Sequence, residues 1–237
     1  MTTSETTCKA WYDQSYSHSG FAAQRRYPNE ELLRFFGRHY FPLPPEQRRL
    51  TRALEVGCGS GANLWMMVRE GFDAHGIDLS AEAIRLCQIL LQGGPGARLS
   101  VASMTACPYR AVGFDIVADV FSSYCLDEMA FATFLDEVSR LLRPGGHFFS
   151  YAPSKNSDLF KKPGPARRID ASTIDGIRRQ GAPFYGNFYP FRFIAGDEYE
   201  AALGRRSLQT IYNERVGRTY NNGTEYFEFV VVVAQKK

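Results

Sequence analysis

The residues best suited to chemistry lie in Glu55-Val56-Gly57-Cys58-Gly59-Ser60-Gly61, followed seventeen positions later by Asp78. Alternate glycines between an apolar run and a helical pattern let backbone N–H groups and a helix N-terminus approach a ligand closely. An acid about twenty residues further on, at the end of the next strand, is placed to accept hydrogen bonds from ribose hydroxyls. The pattern therefore points to an adenosine-containing cofactor. Gly57, Gly59 and Ala62 also satisfy G-x-G-x-x-A, so the loop alone fits a nicotinamide dinucleotide as well as S-adenosylmethionine. Glu55 tells against the first: its charge would repel a pyrophosphate and attract an α-amino group.

From residue 51 onward, short apolar runs alternate with amphipathic ones, as a site of this kind requires. Strands are expected at 52–56, 72–77, 98–102, 114–120 and 146–152, and helices at 62–70, 80–92 and 127–142. Ser80 caps the second helix, and Pro144-Gly145-Gly146 stops the third. The order implies a doubly wound, Rossmann-like α/β fold with a mostly parallel sheet. Two β-patterned runs, 207–216 and 224–234, meet across Asn221-Asn222-Gly223, a turn suited to an antiparallel hairpin. Residues 1–10 read as a disordered polar stretch, and a helix starts at Pro28. One domain over 1–237 is expected, with a helical cap at 1–50 and a covering insertion at 153–196.

Leu54 to Gly61, Gly76-Ile77-Asp78-Leu79-Ser80, Phe114-Asp115-Ile116-Val117 and Leu141-Leu142-Arg143-Pro144-Gly145-Gly146 resemble, in order and spacing, the motifs of class I S-adenosylmethionine-dependent methyltransferases of the small-molecule type. The resemblance covers roughly residues 50–152 and implies a seven-stranded sheet. It assigns Glu55 and the loop Gly57, Cys58, Gly59 and Gly61, with Asn63, to the methionine portion of the cofactor. Asp78 would bind the ribose and Leu79 would pack on adenine. Ser103 and Met104 would hold the adenine edge, where family members often carry an Asp. Asp119, Val120 and Phe121 would sit beside the amino group and the sulfonium. Arg26, or its neighbour Arg25, is a candidate for the methionine carboxylate.

The same resemblance leaves the acceptor to two regions, 11–27 and 153–196. In the second, eight Lys and Arg face three Asp, which suggests an anionic small molecule. Tyr12, Tyr16, Tyr185, Tyr189 and Arg192 are candidate substrate contacts. No His pair follows the fourth strand, so Tyr124 and His18 are the candidate catalytic residues. Asp115 and His147 read as structural, and Cys58 as packing within its loop.

The formal net charge of +3 is too small for a general affinity to nucleic acid or membrane. No cysteine pair or cluster has metal-ligand spacing, so no metal is expected. Unpaired cysteines and the lack of a leader-like start suggest a cytoplasmic protein. Two alternatives stay open: an NAD-type oxidoreductase, and a methyltransferase-like binding protein without turnover.

Overall fold

Apolar runs become strands and amphipathic runs become helices in the expected alternation. The computed structural model describes residues 2–94 and 96–237. Three helices lead: α1 (Thr3–Ser19), α2 (Glu30–His39) and α3 (Pro45–Leu50). The alternating part comprises β1 (Arg52–Val56), α4 (Ala62–Arg69), β2 (Asp73–Asp78), α5 (Ala81–Leu90), β3 (Arg98–Val101), β4 (Phe114–Val120), α6 (Glu128–Leu141) and β5 (Leu142–Pro153). The covering segment holds α7 (Asp158–Lys161) and a small antiparallel pair, β6 (Thr173–Ile174) and β7 (Phe191–Arg192). Helix α8 (Gly196–Gly204) and the hairpin β8 (Leu208–Tyr220) and β9 (Glu225–Lys236) complete the chain.

The sheet has seven strands in the order β3-β2-β1-β4-β5-β9-β8. The first five are parallel, and β9 enters antiparallel to β5. Strand order reverses between β1 and β4, where Val56 lies in register with Asp119. The loop after β1 and the turn after β4 are therefore neighbours, the usual place for a ligand in open α/β sheets. Strand β9 is buried on both faces from Phe227 to Ala234, which explains its apolar run from Phe229 to Ala234. Its hairpin turn holds Asn221, Asn222 and Gly223 at positive φ, the conformation those residue types tolerate best.

Capping follows the local sequence. Ser80 accepts from the Ala83 amide at 3.2 Å and Asp127 from that of Ala130 at 3.0 Å. Residues 3–10 depart from expectation: they are helical, not disordered. Thr2 and Glu5 form a capping box, and tertiary contact supplies the rest. Glu5, Cys8, Tyr12 and Tyr16 recur at helical spacing, and Glu5, Cys8 and Tyr16 are fully buried against the sheet's C-terminal end. A polar, Thr-rich helix with so weak an intrinsic preference is held by that stripe.

Candidate active site

Where the loop after β1 meets the turn after β4, two cavities adjoin. The first, about 540 Å³, is lined by Gly57, Asp78, Leu79, Ser80 and Met104 below and by Cys8, Lys9, Tyr12 and Tyr16 of α1 above. The second, about 900 Å³, is lined by Glu55, Gly57, Cys58, Asn63, Val120 and Arg25, with Trp11, Phe184 and Asn187 opposite. Tyr12, Gln24, Gly57, Phe121 and Tyr124 belong to both. Both volumes lie in the range of small-molecule sites.

Glu55, the penultimate residue of β1, is only 2% exposed. Its Oε1 accepts from Asn63 Nδ2 at 2.5 Å, while Oε2 is buried without a partner. Burial pushes this carboxyl up to about 8, against the pull of the Asn63 hydrogen bond and the Arg25 charge. A buried acceptor left unsatisfied is costly, so Oε2 is suited to a ligand cation. Asn63 also accepts from the Asn29 amide at 2.8 Å, tying α2 to the site.

Asp78 ends β2. Its Oδ2 accepts from the Gly59 amide and Oδ1 from the Ser80 amide, each at 2.9 Å. Each carboxylate oxygen has a second lone pair, so these bonds orient the group and leave it able to accept two hydroxyls. Burial raises its pKa, with the Ser80 and Gly59 amides opposing.

The glycines of the loop have different tasks. At Gly57, a Cβ would lie 2.4 Å from that of Ser122, so only glycine lets the two neighbouring turns meet. At Gly61, φ is +93° and a Cβ would strike Cys87 Sγ. That glycine admits α5 and lines neither cavity.

Phe121 is held at φ +55°, an uncommon conformation for a bulky residue that often marks functional sites. Its amide donates to the Tyr151 carbonyl at 2.8 Å. Its ring stacks on Tyr124, with centroids 4.2 Å apart and planes 14° apart. Tyr124 in turn joins a three-hydroxyl cluster, 2.5 Å from Tyr12 and 2.6 Å from Tyr189. Tyr189 and Tyr12 are 3.3 Å apart. Burial raises the pKa of all three, so they are neutral hydroxyls at ordinary pH.

Several expected site residues lie elsewhere. Asp119 is fully buried and turned inward, accepting from the Ser122 and Ser123 amides and from the hydroxyls of Ser122, Ser123 and Ser150. It builds the turn after β4 and lines neither cavity. Ser103 is engaged by Glu5, whose Oε1 accepts from the Ser103 and Thr105 hydroxyls. A carboxylate from α1 thus packs against the loop after β3, and neither Glu5 nor Ser103 lines either cavity. His18 is exposed at the end of α1, outside both cavities. Arg25, not Arg26, lines the inner cavity.

Tyr185 is half exposed and lines neither cavity. Arg192 is buried beside Asp170 at 3.7 Å and over the Phe131 ring, within the covering segment. The basic charge of that segment does not converge on the site: Arg167 and Arg178 pair with Asp175, Arg179 with Glu225, and Lys155 with Glu198. The structural readings of Asp115 and His147 agree with their surroundings. Asp115 accepts from the Arg52 amide at 2.7 Å, and His147 Nδ1 lies 2.6 Å from Tyr40 Oη. All five cysteines are free and buried, and no three metal-ligating side chains cluster among the described residues.

Sequence reasoning missed Cys8, Gln24 and Cys125 as lining residues. The helical spacing of Cys8 with Tyr12 and Tyr16 was the one available signal.

Residues 53–146 match the family model of a methyltransferase domain. A phthiotriol/phenolphthiotriol dimycocerosates methyltransferase of Mycobacterium leprae is 37% identical over 109 residues, 45% of this chain and 39% of the relative. A ubiquinone biosynthesis O-methyltransferase of Ralstonia nicotianae is 26% identical over 185 residues, 74% of each chain. The matches to the mycobacterial relatives span about half of those proteins or less. Among solved structures, a Burkholderia thailandensis 1,6-didemethyltoxoflavin-N1-methyltransferase with bound 1,6-didemethyltoxoflavin and S-adenosylhomocysteine superposes with a TM-score of 0.57 at 17% identity. That likeness covers 98% of this chain and 79% of the neighbour.

Proposed function

We propose that this chain, whose residues 53–146 match the family model of a methyltransferase domain, is an S-adenosylmethionine-dependent methyltransferase that methylates O or N of a small, anionic molecule. The unpartnered Glu55 Oε2 carries this reading. A buried carboxylate oxygen at the end of β1 suits the α-ammonium group of S-adenosylmethionine and opposes a dinucleotide pyrophosphate. The rest of the site fits the same cofactor. Asp78 takes the ribose hydroxyls, Leu79 and Met104 flank the base, and Gly57 admits close backbone approach. When bound, S-adenosylmethionine supplies a methyl group on a sulfonium, open to in-line attack.

The chain's own residues then position the acceptor and keep water out. Tyr12, Tyr124 and Tyr189 donate and accept hydrogen bonds without taking a proton, because burial holds them neutral. An acceptor for this site brings its own lone pair, as a carboxylate, phenolate or free amine.

Calorimetric titration tests the proposal. S-adenosylhomocysteine is expected to bind saturably and NAD to give no heat; the reverse result would sink it. Asp78→Ala should weaken S-adenosylhomocysteine about tenfold to a hundredfold, the range for losing charge-assisted hydrogen bonds. Turnover with small acids and amines separates an enzyme from a binding protein of the same fold.

A further inference from the structure

Beyond the inner cavity the site continues into a cleft of about 1,070 Å³ between the segment before α2 and the hairpin. Arg25, Phe121 and Phe184 line both spaces, so the two adjoin. The floor of the cleft is aromatic: Tyr151 stacks on Phe229 with centroids 4.2 Å apart, and Phe121 meets Phe229 edge-on at 5.4 Å. Its far wall is one face of β8, where Val216, Arg218 and Tyr220 alternate at strand period.

Three guanidinium groups line this cleft: those of the adjacent Arg25 and Arg26, and that of Arg218 from the hairpin. None of them forms an ion pair among the described residues, whereas Lys155, Arg167, Arg178, Arg179 and Arg192 of the covering segment all have acidic partners. Neither acid lining the cleft pairs with them: Glu31 faces Arg34 at 3.7 Å, and Glu30 forms no ion pair among the described residues. Unpaired arginines beside stacked aromatic rings match a flat apolar body carrying an anionic group, which guanidinium binds through paired hydrogen bonds.

We propose that this cleft is the acceptor site and that it takes aromatic anions. The ring lies over Phe121, Tyr151 and Phe229, and the acidic group, remote from the methylated atom, is clamped by Arg25, Arg26 and Arg218. This rests on the methyl-transfer reading above and deepens it.

The test uses the full chain saturated with S-adenosylhomocysteine, titrated with 4-hydroxybenzoate, 4-hydroxycinnamate, their neutral amides and phenyl phosphate. The acids are expected to bind at least tenfold more tightly than the amides, with affinity falling as salt rises. Arg218→Gln, an exposed change at the sheet edge, should weaken the acids three- to tenfold and leave the amides unaltered. Tighter binding of phenyl phosphate than of the carboxylates would identify a phosphate as the natural anion. Equal binding of acids and amides, no binding of any anion to millimolar concentration, or indifference to Arg218→Gln together with Arg26→Gln would overturn the assignment. If S-adenosylhomocysteine itself fails to bind, the methyl-transfer reading fails first, which keeps the two failures distinct.

Discussion

Glu55 shows how one side chain can couple protonation to ligand binding. Its carboxyl is raised from 4.5 to about 8 by burial, so the folded protein holds a proton that the unfolded chain releases. Stability on this account is greatest below pH 4.5 and falls as pH rises towards 8, at no more than about 1.4 kcal/mol per pH unit. Glu55→Gln removes the dependence. Urea unfolding should therefore show the variant gaining on the wild type between pH 5 and pH 8; a constant difference would refute the raised carboxyl. The same proton must leave for Glu55 to pair with an ammonium group. S-adenosylhomocysteine should then bind about tenfold more tightly at pH 7 than at pH 6 in the wild type, and the Gln variant should lack that slope.

Among the elements, α1 and the hairpin carry the information that the cofactor motifs do not. Glu5 anchors α1 through Thr2, Ser103 and Thr105. Glu5→Ala should cost about 1–3 kcal/mol, as loss of a buried charged acceptor does. Hydrogen exchange would show lost protection confined to residues 3–19, with β1 and β4 unchanged. Equal loss across the sheet would refute a local anchor.

The strands and helices between Arg52 and Pro153 were legible because periodicity and capping agree there with the tertiary fold. Helix α1 was not, because Thr-rich sequence disfavours helix and its burial depends on a sheet far away in sequence. Arg218 and Tyr220 were likewise hidden. A hairpin pattern says which residues alternate, but which face meets a cleft is decided by β9 entering beside β5. Asp119 misled for a third reason: a carboxylate ending a strand beside the site can serve a turn instead of a ligand, and only the serines around it distinguish the two.

At the scale of the whole molecule, position matters more than total charge. A net charge of +3 conceals a covering segment whose cations are mostly neutralised locally and a cleft whose three arginines are not. No helix among the described residues is long and apolar enough to cross a membrane. The polar work is concentrated at one end of the sheet, where β1, β2, β4 and the turn of β5 into the covering segment all finish.

Among the described residues, only Phe121 lines the first cavity, the second and the outer cleft. A shared wall makes the occupants of its compartments thermodynamically reciprocal. Whatever factor the first ligand adds to the affinity of the second, the second must return to the first. Phe121→Ala should reduce that factor towards one, measured as the ratio of 4-hydroxybenzoate affinities with and without S-adenosylhomocysteine. A ratio as large as in the wild type would show that the conversation between the sites runs through another wall. A ratio near one would instead make the strained backbone at this position the cost of having both ligands share a single aromatic partition.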